Sequence, residues 1–510
     1  MPKWLNDAVF YEIYPQSFYD SNGDGIGDLN GIIEKLDYVK GLGCNAIWLN
    51  PVYDSPFMDA GYDVRDYYKV APRYGTNDDL VRLFEAAHSK GMKILLDLVP
   101  GHTSDTHPWF LEAKRARVTE LSNRYIFTKS VWDAPPEYRM MCGICERNGN
   151  YMVNYFSSQP ALNYGFNKIT HPDWQLPPDH PDCLRTVEAI KDIMRFWLSK
   201  GADGFRVDMA DSLVKNDDEK HATAKIWRGV RDMLDKEFPE AAMVSEWCHP
   251  DRAITDAGFH MDFYLDHYGN GYSRLFRFGE WGDLAVFNKN GLGDLQGFAE
   301  EYLPAYNRTK DKGYISFMTN NHDMPRVTAY LDEQAIKLVN AFIFTMPGVP
   351  FLYYGDEIGM RYQADLVSKE GGFSRTGSRT PMQWCAGKNL GFSESDEPYL
   401  PVDQSSDAPT VENRKDDPDS IYRVVTDLIA LRHKYSDLHG NGELEFLFED
   451  NKIPFAYRRG GLMMFFNPLD KDASIATDCD GDVVYKLGEA TIADGRVTMK
   501  PQSFLMIAVL

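Results

Sequence analysis

The feature that most constrains the fold of this chain is the run Gly204-Phe205-Arg206-Val207-Asp208, which is apolar apart from one arginine and ends in an aspartate. A buried parallel strand has this pattern when its last residue emerges at the carboxyl end of a barrel, the rim that carries catalytic side chains in (β/α)8 barrels. Because side chains alternate along a strand, Arg206 and Asp208 share a face, where the guanidinium can hold the carboxylate ionised and oriented, as a nucleophile requires. A structural Arg–Asp pair in an ordinary core strand would look the same, so the motif alone leaves both interpretations open.

Short apolar strands alternate with amphipathic helices along most of the chain. Helices are predicted at residues 29–42, 78–90, 183–200 and 222–237, with a further one near 420–435. The predicted strands cover residues 8–14, 45–49, 92–99, 204–208, 242–246, 263–267, 313–319 and 350–354. Eight parallel strands with helices between them are what a closed barrel needs. We therefore predict an α/β fold built on a (β/α)8 TIM barrel.

The alternation is interrupted in two places. Residues 103–170 are polar and irregular, and a structureless loop of that length is uncommon in a compact domain, so we predict an inserted domain after strand 3. The end of the chain contains short alternating runs at 443–448, 454–458, 462–466, 483–487 and 503–510, which indicate a C-terminal antiparallel β domain. The predicted domains are the barrel, 1–102 and 171–435, the inserted domain, 103–170, and a β-sandwich, 436–510.

Composition excludes several classes of partner. The net charge of −22, from 76 acidic and 54 basic residues, argues against binding to nucleic acid or to an anionic membrane and agrees with neutral ligands. The sequence shows neither a secretory signal nor an apolar run of membrane-spanning length. Seven scattered cysteines fit reduced thiols in a cytoplasmic enzyme, and the pair Cys142 and Cys145 lacks a partner motif at zinc-finger spacing, so we expect no zinc there.

Acids and histidines end several of the predicted strands. In chain order these residues are Asp97, His102, Asp208, Glu246, His322 and Asp323. A single acid at a strand end is often a loop cap, but a closed barrel would bring all of these side chains to one rim. Three acids without a serine or cysteine nucleophile suggest glycosyl transfer, in which one carboxylate attacks the anomeric carbon and a second carboxyl protonates the leaving oxygen.

Four blocks carry a specific resemblance: DLVPGHTS (97–104), GFRVD (204–208), VSEW (244–247) and TNNHD (319–323). They resemble the four signature regions of the α-amylase family of glycoside hydrolases. Further matching segments are GCNAIWLNPVYDSP (43–56), DAGYDVRDY (59–67), QPALN (159–163), SRTPMQW (378–384) and GVPFLYYGDEIG (348–359). The resemblance extends from residue 1 to about 435 in the family's order, and the β-rich tail is similar to its C-terminal domain.

The resemblance implies a role for each strand-end residue. It makes Asp208 the nucleophile and Glu246 the acid/base of a retaining reaction, and Asp323 the residue that binds and distorts the sugar in the −1 subsite, where the sugar to be transferred lies. The substrate-binding residues that it implies are Asp59, Tyr62, His102, Arg206, His322 and Arg379. Among these, Arg206 would orient the nucleophile, the histidines would bind sugar hydroxyls, and Tyr62 would stack on the pyranose.

Within the family, the chain is most similar to exo-acting oligo-1,6-glucosidases, α-glucosidases and sucrose- or trehalulose-type enzymes. Asp59 and Arg379 match the acid and arginine that grip the 4-hydroxyl of a terminal glucose in that group. The Lys-His pair that many endo-amylases carry after the nucleophile is replaced by Asp211 and Ser212. We therefore expect a blind pocket that accepts only chain ends.

The loop at residues 20–28 alternates oxygen-bearing side chains with small residues, as a hard cation such as Ca²⁺ or Mg²⁺ requires. The resemblance implies one structural cation held by Asp20, Asn22, Asp24, the Ile26 carbonyl and Asp28. The loop is not an EF-hand, and the alternative is a Gly/Asp-rich turn without metal.

A second metal site of the family's amylases lies between the barrel and the inserted domain. In this chain Gly101 and Ala161 stand where two of its ligands are usual. Both replacements lack a side-chain oxygen, so we expect that second site to be absent.

The expected activity is that of a retaining exo-acting α-glucosidase, which releases glucose from the non-reducing end of short α-linked gluco-oligosaccharides or disaccharides. The linkage stays open because Met209, after the nucleophile, fits neither the valine of α-1,6 enzymes nor the small residue or threonine of α-1,4 enzymes. One alternative is a transglycosylase or isomerase of the sucrose or trehalose type. A more distant one, an inactive sugar-binding or transporter-partner subunit, is disfavoured by the intact acids Asp208, Glu246 and Asp323.

Overall fold

The centre of the protein is a sheet of eight parallel strands, seen in a computed structural model that describes residues 1–265, 270–448 and 450–509. In chain order the barrel strands are Phe10–Ile13, Ala46–Leu49, Lys93–Leu98, Gly204–Val207, Ala242–Ser245, Met261–Phe263, Tyr314–Ser316 and Phe351–Tyr353. Neighbours in the sheet follow the order 7-6-5-4-3-2-1-8, so the first strand pairs with the eighth. The main-chain N–H of Phe351 donates to the carbonyl of Phe317 at 2.9 Å and links the two ends of the sheet. The predicted (β/α)8 barrel is confirmed.

Large aromatic side chains fill the interior of the barrel. The rings of Phe10 and Phe351 stack with centroids 4.3 Å apart. The centroid of the Phe263 ring lies 4.9 Å from that of Phe351 and 5.3 Å from that of Trp48. All four side chains are buried. Packed aromatic layers of this kind make the barrel a solid core, which leaves the strand ends as the place for a site.

Helices follow most barrel strands and cover the outside of the sheet. The described α-helices are Leu29–Gly41, Asn77–Ser89, Pro108–Ala113, Pro181–Leu198, His221–Glu237, Tyr272–Phe276, Leu295–Thr309, Glu333–Thr345, Val411–Lys415 and Ile421–Lys434. Capping residues determine several helix starts: the Asp28 carboxylate accepts the Gly31 N–H at 2.7 Å, and Thr76 forms a capping box with Asp79.

The sixth barrel strand begins earlier than predicted. It covers Met261–Phe263 instead of residues 263–267, and the predicted positions 266 and 267 lie outside the described residues. The buried Asp262 interrupts the apolar pattern that the prediction relied on.

The segment between the third and fourth strands has its own small core. It contains the helix Pro108–Ala113 and an antiparallel pair, Met140–Met141 with Tyr151–Met152. The core residues are Ile126, Met152, Ala161, Phe166 and Trp174. Such a core fits the inserted domain, whose boundaries at 103 and 170 stay a prediction.

The C-terminal part is an antiparallel β structure, as predicted. One sheet contains, in spatial order, Glu445–Phe446, Phe455–Arg459, Leu462–Asn467, Ser503–Val509 and Gly481–Leu487. A second sheet contains Ala473–Ala476, Arg496–Met499 and Ala490–Ala493, which the sequence pattern did not predict. These strands are short and contain few large apolar side chains, so their alternation is weak. All seven cysteines are free thiols, and no helix among the described residues is both long enough and apolar enough to span a bilayer.

Candidate active site

A cavity of about 350 Å³ opens at the carboxyl end of the barrel. Its lining consists of Asp59, Tyr62, His102, Tyr155, Asp208, Met209, Asp211, Glu246, Trp247, Asp323 and Arg375. Six of the predicted catalytic and substrate-binding residues are in this lining, while Arg206, His322 and Arg379 are buried directly beside it. The strand-end residues therefore converge as the barrel geometry requires.

One guanidinium contacts both candidate catalytic carboxyl groups. Arg206 is fully buried and donates from Nη1 to Asp97 Oδ1 at 2.8 Å and to Asp208 Oδ1 at 3.1 Å. Its Nη2 donates to Glu246 Oε2 at 2.6 Å. Arg206 was predicted to orient the nucleophile, and here it contacts the candidate acid/base as well. Charge-assisted bonds from a planar guanidinium fix direction as well as distance.

Burial raises the pKa of Asp208 well above its usual range; Arg206 opposes this shift, and the nearby Glu246 and Asp97 carboxyls reinforce it. Negative charge on the Glu246 carboxyl thus disfavours the charged form of Asp208. Double displacement requires one charged carboxyl and one protonated carboxyl.

The turn after each catalytic residue is held in an unusual conformation. Met209 has φ 41°, and its N–H donates to Glu246 Oε2 at 3.1 Å. After Glu246, Cys248 has φ 61°, and the N–H groups of Trp247 and Cys248 donate to Asp262 Oδ1 at 3.2 Å and 3.3 Å. Left-handed backbone at non-glycine residues is costly and is kept where surrounding contacts enforce it. Asp262, which the sequence analysis missed, supports the turn that carries the acid/base.

His322 is buried between carboxyl groups. Its Nδ1 lies 2.8 Å from Glu12 Oε1, and its Nε2 lies 3.1 Å from Asp323 Oδ2 and 2.7 Å from the Tyr62 hydroxyl. Burial disfavours the charged ring, but the contacts with Asp323 and Glu12 outweigh it and raise the pKa of His322 to about 9. Both ring nitrogens are thus engaged by protein groups. Glu12, the lone charge in its apolar strand, was a signal that the sequence analysis did not use.

His102 and Tyr62 form one wall of the cavity. The Tyr62 hydroxyl donates to Asp97 Oδ2 at 2.9 Å, which fixes the ring in the lining. His102 Nε2 lies 3.1 Å from the Tyr62 carbonyl. Burial lowers the pKa of His102 to about 4, so the ring is neutral near pH 7. Its Nδ1 lies 3.2 Å from Asn154 Nδ2, so both ring nitrogens have protein partners.

Two acids and two arginines form a linked group at the cavity: Asp59, Asp323 and Arg375 line it, and Arg379 is buried beside it. Arg379 Nη2 donates to Asp323 Oδ1 at 2.8 Å, and its Nε donates to the His322 carbonyl at 2.9 Å. Asp59 is joined to Arg375, whose Nη2 donates to Asp59 Oδ1 at 3.2 Å. The sequence analysis paired Asp59 with Arg379; among the described contacts they are linked through Arg375 and Asp323. Arg375 lies in the 3-10 turn Phe373–Ser378 and Arg379 directly follows that turn, and their close spacing in the sequence was the available signal.

The loop at residues 20–28 offers oxygen donors of the type that a hard cation prefers. Each Asp20 oxygen accepts two hydrogen bonds, whereas Asn22 and Asp24 each accept one main-chain N–H at 2.9 Å. A side-chain oxygen that accepts one N–H keeps a second lone pair, so Asn22 and Asp24 fit such an ion by type. Within the described ranges, no group of three or more His, Cys, Asp or Glu is arranged to hold a metal ion. The cation predicted at Asp20, Asn22, Asp24, Ile26 and Asp28 therefore stays a prediction.

At the junction of barrel and inserted segment, Gly101 and Ala161 offer no side-chain oxygen. The Leu162 N–H donates to the Gly101 carbonyl at 3.1 Å. A half-buried ammonium lies nearby: Lys215 Nζ donates to the Ser212 carbonyl at 2.6 Å and to Asn154 Oδ1 at 3.3 Å. Burial lowers the pKa of Lys215 to about 8. A side-chain cation thus bridges the two parts of the chain at this junction.

Comparisons with known proteins agree with this geometry. A family profile described as "Alpha amylase, catalytic domain" matches residues 12–441. The chain is 32% identical to an oligo-1,6-glucosidase of Heyndrickxia coagulans, over 90% of each chain. It is 33% identical to the trehalose synthase/amylase TreS of Mycolicibacterium smegmatis, over 89% of this chain and 80% of that protein. A solved structure of an isomaltulose synthase variant from Erwinia rhapontici, in complex with D-glucose, superposes with a TM-score of 0.83 at 25% identity, covering 100% and 99% of the two chains. This chain belongs to the α-amylase family of glycoside hydrolases.

Proposed function

We propose that the protein is a retaining exo-acting α-glucosidase that removes single glucose units from the non-reducing end of short α-glucosides. The observation that carries the proposal is the shape and charge of the cavity. The proposed catalytic pair, Asp208 and Glu246, lines the cavity together with Asp59, Asp323 and Arg375, whose ion pairs link two loops of the barrel rim. In the proposed binding mode one glucose unit occupies this cavity, and no further sugar lies on its non-reducing side.

The proposed reaction is a double displacement. Glu246 gives its proton to the glycosidic oxygen while an oxygen of Asp208 attacks the anomeric carbon, so the leaving sugar departs as an alcohol and a glucosyl ester forms. Glu246, now charged, takes a proton from water, and the water oxygen displaces Asp208 from the same carbon. Arg206 holds both carboxyl groups throughout, which keeps them aligned between the two steps.

Relatives supply a second candidate, an isomerase or transglycosylase on the same scaffold. The glucosyl ester is common to both functions, and they differ only in whether water or a sugar accepts the glucosyl group. Similarity to an oligo-1,6-glucosidase and, at almost the same identity, to a trehalose synthase/amylase favours neither acceptor. The product therefore decides between the two functions.

Incubation with maltose, isomaltose, sucrose and trehalose, followed by proton NMR, tests the proposal. We expect glucose as the main product from at least one substrate, with the α-anomer appearing first because two inversions retain configuration. A main product that is an isomeric disaccharide would favour the isomerase. Initial β-glucose would contradict the double displacement.

A further inference from the structure

A second cavity, of about 500 Å³, shares a segment of chain with the catalytic cavity. The turn Phe373–Ser378 contributes to both: three of its residues line the second cavity, whereas Arg375 lines the catalytic one. A further cavity of about 360 Å³ adjoins the second, because Gln363 and Leu366 line both of them. The two adjoining cavities therefore form one cleft, separated from the proposed catalytic acids by a single turn of chain.

Four aromatic side chains line this cleft, and we name it the aromatic cleft after them: Trp281, Tyr330, Tyr362 and Phe373. The Trp281 side chain is 75% exposed and that of Phe373 is 65% exposed. Large apolar groups that line an open groove mark a place where a ligand or partner binds. Both residues also have left-handed backbone, with φ 56° at Trp281 and 48° at Phe373, a conformation that neighbouring contacts must maintain.

The wall that carries Trp281 is fixed by its neighbours. Asn288 Nδ2 donates to the Gly282 carbonyl at 3.1 Å. A Cβ placed on Gly282 would lie 3.0 Å from the Cβ of Tyr330, so the main chain packs directly on that tyrosine. The positions of the Trp281 and Tyr330 rings are thus coupled.

The opposite wall is held by contacts between two segments of one loop. The Tyr362 hydroxyl donates to the Ser374 carbonyl at 2.8 Å, and the Gln363 N–H donates to the Gly377 carbonyl at 3.1 Å. The Phe373 N–H donates to the hydroxyl of Ser368 at 2.8 Å. Both walls are therefore ordered without a ligand, which lowers the entropy cost of binding one.

The polar groups of the aromatic cleft favour an uncharged ligand rich in hydroxyl groups. None of the described residues that line its two cavities is Lys, Arg or His. In the described part of the chain, neither the exposed carboxylate of Asp365 nor the side-chain amide of Gln363 has a hydrogen-bond partner. A carboxylate and an amide can bind sugar hydroxyls, while aromatic faces suit the apolar face of a pyranose. A nucleic acid or another anion would find no positive charge here.

We propose that the aromatic cleft is a second saccharide-binding site, which holds a chain of α-linked glucose units outside the catalytic cavity. Trp281 and Phe373 stack on the sugar rings, and Asp365 and Gln363 bind their hydroxyls. The choice of an α-glucan rests on the proposed substrate class, but binding itself does not require the neighbouring cavity to be catalytic. A glucan held one turn away from that cavity raises the local concentration of chain ends there.

The test is isothermal titration calorimetry with maltoheptaose. It is performed in the presence of enough 1-deoxynojirimycin, a glucose analogue, to fill the catalytic cavity and stop turnover. The wild type is compared with Trp281→Ala and Phe373→Ala, and with Trp132→Ala as a matched control that removes a 93% exposed tryptophan from the inserted segment. Circular dichroism and thermal melting establish that each variant is folded.

We expect the inhibited wild type and Trp132→Ala to bind one maltoheptaose per chain. Trp281→Ala and Phe373→Ala should each raise the Kd roughly 10-fold or more, because each removes a ring that stacks on the sugar. Without the inhibitor, kcat and KM on the disaccharide that the protein converts should be the same in Trp281→Ala and the wild type. A Trp281→Ala protein that loses disaccharide turnover together with maltoheptaose binding would show that the cleft is part of the catalytic cavity and would overturn the proposal.

The remaining outcomes separate the cleft from the catalytic proposal. If the inhibited wild type binds no maltoheptaose while the uninhibited protein releases glucose, the second site is wrong and the proposed function stands. If no glucose is released but maltoheptaose binding depends on Trp281, the proposed function is wrong and the second site stands. Wild-type Kd values in both Trp281→Ala and Phe373→Ala would place the sugar elsewhere and overturn the assignment. A dimer that dissociates on Trp281→Ala, without any sugar binding, would overturn it in favour of a contact between two copies of the chain; should Trp281→Ala fail to fold, Phe373→Ala carries the same comparisons.

Discussion

Arg206 Nη2 and Glu246 Oε2 lie 2.6 Å apart in the floor of the cavity. The other terminal nitrogen of the same guanidinium is 3.1 Å from Asp208 Oδ1. The two proposed catalytic carboxyl groups are therefore fixed relative to each other by one rigid plane. Proton transfer and nucleophilic attack on one bond require this mutual alignment, because a small misplacement of either group lowers the rate steeply.

Replacement of the nucleophile should abolish turnover without unfolding the protein. Asp208→Ala removes the group that forms the glucosyl ester, and we expect kcat to fall by about 10⁴-fold or more. The substitution also relieves crowding of carboxyl groups around Arg206, so the melting temperature should not decrease sharply. Steady-state kinetics and thermal melting check this. Hydrolysis close to the wild-type rate by the folded variant would contradict the mechanism.

Replacement of the acid/base should produce a defect that depends on the leaving group. Glu246→Gln keeps an oxygen acceptor for Arg206 and Met209 but cannot donate the catalytic proton in the same way. We expect a loss of roughly 10²- to 10⁴-fold on maltose. An aryl glucoside with an acidic phenol as leaving group should still react in the first step, giving a burst of phenol. Equal losses on both substrates would argue against this role.

The His322 ring should make stability depend on alkaline pH. Its pKa is raised from 6.5 to about 9 by Asp323 and Glu12 against the effect of burial. A group whose pKa is higher in the folded state stabilises the folded protein fully at pH values below its pKa in the unfolded chain. This contribution is lost as the pH rises through its pKa in the folded state. We expect protonated His322 to contribute on the order of 3 kcal/mol to the free energy of unfolding at pH 6. This contribution should decrease between about pH 6.5 and 9. Urea denaturation of the wild type and His322→Gln at pH 6, 7.5 and 9.5 measures it; a gap between the two proteins that persists at pH 9.5 would show that charge is not the cause.

The loop at residues 20–28 should bind one hard cation per chain. Calcium or magnesium added to chelator-treated protein should raise the melting temperature, since binding to the folded state alone is stabilising. Asp24→Ala removes an exposed candidate ligand and should abolish that increase, with Asp396→Ala, an exposed acid outside the loop, as the control. Metal analysis should give one equivalent. Two equivalents, with one at the Gly101 and Ala161 junction, would show that the loss of those side-chain oxygens was misjudged.

The barrel, its strand ends and the C-terminal β domain could be predicted because each depends on local sequence. A strand that is buried on both faces must be apolar throughout, so polar residues such as Asp208 and Glu246 mark where it leaves the core. Parallel strands joined by helices bring these positions to one rim whatever the loops contain. The strands Ala473–Ala476 and Ala490–Ala493 were not predicted. Their side chains are mostly small, so the sequence shows no clear alternation between an apolar and a polar face of the strand.

The partners of each charged side chain were decided only by the tertiary structure. His322 lies against Glu12, 310 positions away along the chain, and Asp59 pairs with Arg375 across 316 positions. Such contacts depend on loop paths and on the burial that makes an unpaired charge costly, and neither is encoded by periodicity. Sequence alone identified the barrel and the strand-end acids that we propose carry the chemistry. Folding determined which arginine meets which acid, because that choice is made by the close packing of segments that are far apart in the chain.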